Sequence, residues 1–385
     1  MKKKIAILGS TGSIGKSALE LIDLKKFEIY LLTANKNYKE ILKQARIFKV
    51  KNIIIKDHES FEKSLRYNEN KNIKIYNNFL SFDKIFNKKL DYVLSSISGI
   101  SGLLPTFNII RFTKKIAIAN KESLICAWPI IKKELKKNRT KFAPVDSEHF
   151  SIWCEINNID NSKIKKIYLT ASGGPLLNIK KSFFDKIDMK TILKHPTWNM
   201  GRKITVDSAT MMNKCFEVME AKNIFDLDYG KIDIIIHPNS YVHAIVVYNS
   251  GISKIITHET SMKIPIFNTI YTENEIYKKS SNINFKELNN LNFQKVMLDK
   301  FPIISILKKI PKKHSMFETV LVSINDCVVE KYLNQKISFI EISKMILNLI
   351  NSNRFKRYKN IYPSNINQII ELNKKIDAQI SRMIN

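Results

Sequence analysis

Arginine is scarce in this chain of 385 residues, cysteine is rare, and no long apolar run is present. Of the 64 basic residues only eight are arginine. Nucleic-acid binders concentrate arginine and stacking aromatics on one face; here lysine is spread along the chain among abundant Ile and Asn. The net charge of +29 therefore reads as a solvated basic surface, the kind of drift an A/T-rich genome produces, and not as a nucleic-acid site. Such a field still draws in a small anionic substrate. Cys126, Cys154, Cys215 and Cys327 form no CxxC pair, which suits a reducing compartment and excludes a disulfide frame or zinc cage. Met1-Lys2-Lys3-Lys4 resembles the start of an export signal, but the apolar stretch behind it, Ile5 to Leu8, meets glycine after four residues. That is a buried strand. With no run of membrane-spanning length, the expectation is a cytoplasmic protein with no membrane partner.

The length exceeds one ordinary core and implies two or three domains; no internal repeat is visible. Lys4–Leu8, Glu28–Thr33, Asn52–Lys56 and Tyr92–Ser95 read as strands, with Ala18, Leu19 and Ile22 at helical spacing between the first two. Strand, turn, helix, strand is the unit of a doubly wound parallel sheet. Further on, Lys166–Thr170, Asp233–Ile236 and Val242–Tyr248 read as extended, and Ser208 to Asn223 as one helix with Ser208 as its N-cap. After a polar segment, Ser315 and Glu318 have the spacing of a capping box. Three apolar stripes follow: Phe317, Val320, Leu321, Ile324, Val328; then Ile342, Met345, Ile346, Leu349; then Ile369, Leu372, Ile376, Ile380, Met383. The expected fold is α/β: a Rossmann-like domain over 1–145, a central α+β catalytic domain over 146–270, a linker over 271–297 and a helical bundle over 298–385.

Gly9, Gly12 and Gly15 stand three apart behind the first strand. Such a turn lets the backbone approach a pyrophosphate and offers it the N–H groups of the following helix. Where an NAD site carries an acid, at the end of the second strand, this chain has Asn35-Lys36-Asn37. That sequence is either a 2′-phosphate contact, favouring NADP, or an ordinary polar turn.

A second concentration of chemistry is Pro144-Val145-Asp146-Ser147-Glu148-His149. In an extended chain Asp146 and Glu148 would share a face and offer hard oxygens to Mg²⁺ or Mn²⁺; a solvated surface pair has the same pattern. Asn213 and Glu217 lie four apart on one helix face, where Glu217 is either a third carboxylate for the pair or part of an ordinary helix surface. Ser172-Gly173-Gly174-Pro175 is a turn suited to phosphate. Trp198, in His195-Pro196-Thr197-Trp198-Asn199-Met200-Gly201, is either a lid aromatic or a core plug.

GSTGSIG at 9–15, GLLPT at 102–106, ANKES at 119–123, PVDSEH at 144–149, SGGP at 172–175, HPTWNMGRKITVDSATMMNK at 195–214 and IHPNSYVH at 236–243 occur in that order. Together they resemble the 1-deoxy-D-xylulose 5-phosphate reductoisomerases, over residues 5 to about 265. The resemblance implies an NADPH- and divalent-metal-dependent conversion of 1-deoxy-D-xylulose 5-phosphate to 2-C-methyl-D-erythritol 4-phosphate, in non-mevalonate isoprenoid biosynthesis. It implies a homodimer and a Mg²⁺ or Mn²⁺ ion, with Co²⁺ as a further candidate. By this resemblance Asp146, Glu148 and Glu217 are metal ligands, and the metal acts as Lewis acid while the C3–C4 bond breaks in a retro-aldol step. Lys121 and Glu148 assist proton transfer, with Asp146 beside them as the third catalytic residue. Ser147 contacts the substrate backbone; Ser172, His195, Ser208, Asn213 and Lys214 face its phosphate. Thr11, Gly12, Ser13, Ile14, Asn35, Lys36, Asn37, Asn120, Glu122 and Gly201 contact NADPH. Trp198 and Met200 belong to the lid, and Met262 lies near the closed site.

The chain departs from the family pattern in two places. Cys215 stands where glycine is frequent, and Ile324-Asn325-Asp326 replaces Ala-Asn-Glu. A dehydrogenase of another substrate would explain the glycine turn but not the carboxylates or the phosphate residues.

Overall fold

The computed structural model describes residues 1–157, 159–271, 275–277 and 282–383. It forms two compact units. The first comprises Met1–Ser123, Pro129–Asp146 and Met262–Lys278; the second comprises Leu124–Trp128, Ser147–Ser261 and Lys279–Asn385.

The first unit is built on a parallel sheet of β1 (Lys3–Leu8), β2 (Phe27–Ala34), β3 (Asn52–Ile55), β4 (Lys74–Tyr76), β5 (Leu90–Ser95), β6 (Thr113–Ile118) and β7 (Lys141–Pro144). The strand order is β4-β3-β2-β1-β5-β6-β7. Ile5, Ala6, Ile7 and Leu8 are all buried, because helices cover both faces of a parallel sheet and its central strands read as continuous apolar runs. Each such Ile or Leu contributes roughly 1.5–3 kcal/mol of burial. The chain winds outward from β1 to β4, then returns to place β5 on the other side of β1. This reversal opens a crevice at the carboxyl end of β1, where the glycine turn sits.

The second unit holds a mixed sheet of β8 (Ile164–Ala171), β9 (Ile232–Ile236), β10 (Val242–Tyr248), β11 (Ser253–Thr257) and β12 (Gln294–Lys295), in the order β11-β10-β8-β9-β12. Ile152, Ile167, Leu169, Val218, Ala221, Phe225 and Val246 form its core. The three apolar stripes become the helices Phe317–Leu333, Phe339–Asn351 and Ile366–Met383, the first packing against the other two. Glu318 accepts from the Ser315 N–H as a capping box requires, while the Ser315 hydroxyl accepts from Phe317 N. Of the segment 271–297, residues 272–274 and 278–281 lie outside the described residues; the remainder carries a short helix, Phe285–Asn289, and β12. No helix among the described residues is long and apolar enough to cross a membrane.

Two local expectations are corrected. The helix expected from Ser208 is two helices, Arg202–Thr210 and Met212–Phe225, so Ser208 is interior and not an N-cap. Gly201, in extended conformation, caps the first helix. Met211 breaks the run at φ 69°, a left-handed conformation costing roughly 1–2 kcal/mol, and the Thr210 hydroxyl accepts from Met212 N at 3.3 Å. Hydrophobic periodicity does not register a one-residue break. Nor is Asp146-x-Glu148 extended: the strand stops at Pro144 and Ser147 opens the helix Ser147–Ile156. Glu148 lies in its first turn, where the helix dipole favours an acid.

Candidate active site

In the first unit, Gly9 adopts φ +85°, and a Cβ there would lie 2.9 Å from the Ser96 carbonyl oxygen. A Cβ on Gly15 would lie 2.4 Å from the Gly9 oxygen, so the turn closes against its helix only with glycine at both positions. Gly12 caps the helix Ser13–Leu21 without a side-chain acceptor, and Thr11, Gly12, Ser13 and Ile14 are all partly or fully exposed. Ser10 and Gln44 exchange hydrogen bonds beneath the turn. Asn35, Lys36 and Asn37 are exposed just after β2, and Asn37 caps the next helix by accepting from Glu40 N.

Asn120 caps the helix Lys121–Lys137, accepting from Ser123 N at 2.6 Å, and its amide donates to the Ile97 and Gly99 carbonyls. The structure thus gives Asn120 a scaffolding job, with Glu122 buried beside it in the first turn. Lys121 Nζ lies 2.9 Å from Asp146 Oδ2, both side chains largely buried. Met262 packs on the core of this unit.

The second unit gathers the remaining carboxylates. Helix Met212–Phe225 carries Asn213, Lys214 and Glu217, and helix Ser147–Ile156 carries Ser147, Glu148 and His149. Lys214 Nζ lies 2.7 Å from Glu148 Oε1 and also pairs with Glu217 Oε2. Asn213 donates to the other Glu217 oxygen, and Ser147 to Glu148 at 2.6 Å. Burial, the largest single influence, would raise the Glu148 carboxyl, but the Lys214 charge, His243 and hydrogen bonds from Lys214 and Ser147 together hold it well below the usual range. Two carboxylates within reach of one ammonium suit a divalent cation: the donors are hard oxygens and the positions already favour positive charge. Pairing of Lys214 with Glu148 was not foreseen from sequence, because the two are 66 positions apart, whereas Glu217, three positions on along the same helix, was within reach of a helical-spacing argument.

His149, fully buried, bonds the Glu217 carbonyl through Nε2 at 2.9 Å and faces Glu220 at 3.6 Å. His243 stacks on His258 at 3.6 Å between ring centroids; burial, with His258 beside it, pulls the His243 imidazole down to about 3. Neither His149 nor His243 was assigned a role from sequence, although both stand inside matched motifs.

A third cluster joins Ser172, His195 and Ser208. His195 Nε2 is 3.1 Å from each hydroxyl, and its Nδ1 accepts from the Thr197 and Trp198 N–H groups at 3.2 and 3.0 Å. An accepting Nδ1 means that Nε2 carries the proton and donates. The ring is neutral, in keeping with burial and then Lys214 pulling it down to about 4. Gly173 and Gly174 adopt φ +80° and +66°, and a Cβ on Gly174 would meet the Ser208 carbonyl at 2.8 Å. Trp198 is half-buried, its ring edge-on to His243 at 6.2 Å, so it is no core plug. Met200 is half-buried and Gly201 exposed on the same loop.

Family models for 1-deoxy-D-xylulose 5-phosphate reductoisomerase match residues 5–128, and models for its C-terminal domains match 142–225 and 258–379. The 1-deoxy-D-xylulose 5-phosphate reductoisomerase of Pelagibacter ubique (strain HTCC1062) is 52% identical over 385 residues, covering 99% of each chain. That of Clostridium tetani (strain Massachusetts / E88) is 37% identical over the whole of both chains. Among solved structures, the Zymomonas mobilis enzyme in complex with NADPH superposes with TM-score 0.88 at 26% identity, covering 100% of both chains. A DOX-P reductoisomerase in complex with NADPH, fosmidomycin and magnesium superposes with TM-score 0.92 at 28% identity, covering 99% of this chain and 98% of that one. The chain belongs to the 1-deoxy-D-xylulose 5-phosphate reductoisomerase family.

Proposed function

We propose that this chain converts 1-deoxy-D-xylulose 5-phosphate to 2-C-methyl-D-erythritol 4-phosphate with NADPH and Mg²⁺, Mn²⁺ or Co²⁺ serving in its place, as a cytoplasmic homodimer. The observation that carries the reading is the placement of Glu148 and Glu217 on one ammonium, beside the His195 cluster in the same unit. Asp146, Glu148 and Glu217 hold the cation, which when bound polarises the substrate's carbonyl and hydroxyl oxygens. NADPH supplies hydride to the aldehyde that the rearrangement leaves. Thr11, Gly12, Ser13 and Ile14 present backbone N–H groups to its pyrophosphate, and Lys36 meets the 2′-phosphate; Asn35, Asn37, Asn120, Glu122 and Gly201 complete its contacts.

Lys121 and Glu148 move protons at the C3 and C4 hydroxyls. Ser172, Ser208 and Asn213 bind the phosphate, and Lys214 exchanges a carboxylate for phosphate oxygens as substrate arrives. Neutral His195 donates to the two serines and so orients them. Trp198 and Met200 cover the substrate and exclude water.

The test follows NADPH absorbance with 1-deoxy-D-xylulose 5-phosphate. Consumption should require Mg²⁺ or Mn²⁺, stop on chelation and return when metal is restored. Constant absorbance in the metal-replete protein, or turnover that chelation leaves untouched, refutes the proposal.

A further inference from the structure

The helix Arg202–Thr210 carries Ser208 toward His195, and the residue before Ser208 is a buried acid. Asp207 is 2% exposed. Its carboxylate accepts from Asn325 Nδ2 at 2.8 Å and lies 3.3 Å from Lys203 Nζ, one turn back on its own helix. Lys203 Nζ in turn lies 2.7 Å from Asp326 Oδ1 and 5.7 Å above the Phe216 ring. Asn325 is fully buried, and both Asn325 and Asp326 stand on the helix Phe317–Leu333, more than a hundred positions further along. Against the family's Ala-Asn-Glu, Asn325 keeps the asparagine while Asp326 stands in place of the glutamate.

We propose that Asn325 and Asp326 are positioning residues for the phosphate subsite: through Asp207 and Lys203 they hold the helix Arg202–Thr210, and with it Ser208 and the end of loop 195–201, in register with Ser172 and His195. Adjacent helical residues point about 100° apart, so clamping Asp207 on one side sets the direction of Ser208 on the other. The Gly174 backbone already abuts the Ser208 carbonyl, which leaves little room for the helix to settle elsewhere. The helix Phe317–Leu333 thereby acts on substrate binding without touching substrate. This rests on the phosphate role proposed above for Ser208.

The experiment measures kcat, KM for 1-deoxy-D-xylulose 5-phosphate, KM for NADPH and the Ki of inorganic phosphate as competitor in Asn325→Leu, Lys203→Met, Asp326→Ala and Asp326→Glu. Loss of a hydrogen bond to a charged group should raise the substrate KM and the phosphate Ki together by about tenfold in the first two. The NADPH KM should stay unchanged, and Asp326→Glu should approach the parent where Asp326→Ala does not. Asp326 is partly exposed, so Asp326→Ala leaves no new buried charge and serves if Asn325→Leu fails to fold. A fall in kcat with substrate KM and phosphate Ki unmoved, or an equal rise in the NADPH KM, overturns the proposal. Ser208→Ala separates the two levels. If it leaves the substrate KM unchanged, the phosphate assignment fails; if it raises KM while the other variants do not, only the positioning role fails.

Discussion

Replacing Lys214 with methionine tests what the carboxylate cluster is built to hold. Lys214 is 4% exposed, and its ammonium pairs with both Glu148 and Glu217. Methionine keeps the length and apolar stem but leaves two carboxylates facing one another in a buried place. Removing one partner of a buried ion pair costs about 3–5 kcal/mol, which in a chain of this size lowers Tm by roughly 4–6 °C. Protonation of one carboxyl returns part of that loss. A divalent cation should return more: at a hundredfold excess over its dissociation constant, binding to the folded state alone stabilises by about 2.7 kcal/mol. The assay is thermal unfolding of parent and Lys214→Met with chelator and with Mg²⁺. The expected pattern is a deep deficit in chelator that narrows in Mg²⁺, with a larger Mg²⁺ shift in the variant because no ammonium competes for the oxygens. Equal Mg²⁺ shifts in both proteins, or no deficit in chelator, would refute the view that Lys214 holds the carboxylates in the cation's stead.

Other perturbations follow from the same geometry. Lys36→Glu puts a like charge against the 2′-phosphate and should raise KM for NADPH by at least tenfold while leaving NADH nearly unaffected; steady-state kinetics with both cofactors decide it, and an unchanged preference means the phosphate is read elsewhere. Glu318 is pushed up to about 7 by burial, against hydrogen bonds from Ser315 and the charge of Lys222. The folded state therefore holds a proton that the unfolded chain has released above 4.5, so this contribution is present at low pH and lost as pH rises through 7. Glu318→Gln, whose amide oxygen accepts the same Ser315 bonds, should be more stable than the parent by up to roughly 3 kcal/mol at pH 8 and no more stable near pH 4; a Tm difference independent of pH would contradict the assignment.

The glycine turn was legible because its constraints are local. A Cβ on Gly15 collides with the Gly9 and Ser10 backbone of the same turn, although the clash at Gly9 comes from Ser96 at the end of the neighbouring strand. The three C-terminal stripes were legible for a similar reason: each buries its own period against its neighbours. Local pattern failed where tertiary contacts decided the outcome. Asp146 and Glu148 were assigned a shared extended face, yet Glu148 enters a helix and owes its surroundings to Lys214 on another helix. Ser208 looked like a cap because hydrophobic periodicity starts near it, whereas Gly201 and a left-handed Met211 set the real boundaries.

The same contrast explains the two lysines at the carboxylates. Lys121 meets Asp146 within the first unit, and Lys214 meets Glu148 and Glu217 within the second. The family resemblance assigns Lys121 to proton transfer at the substrate and Lys214 to its phosphate. The structure gives each a carboxylate partner as well. A buried carboxylate without a counter-charge is costly. Within each unit a lysine meets that cost locally: Lys121 at Asp146, and Lys214 at Glu148 and Glu217. Lys214→Met distinguishes this from a purely substrate-binding lysine, because the chelated protein, with no substrate present, should already be less stable.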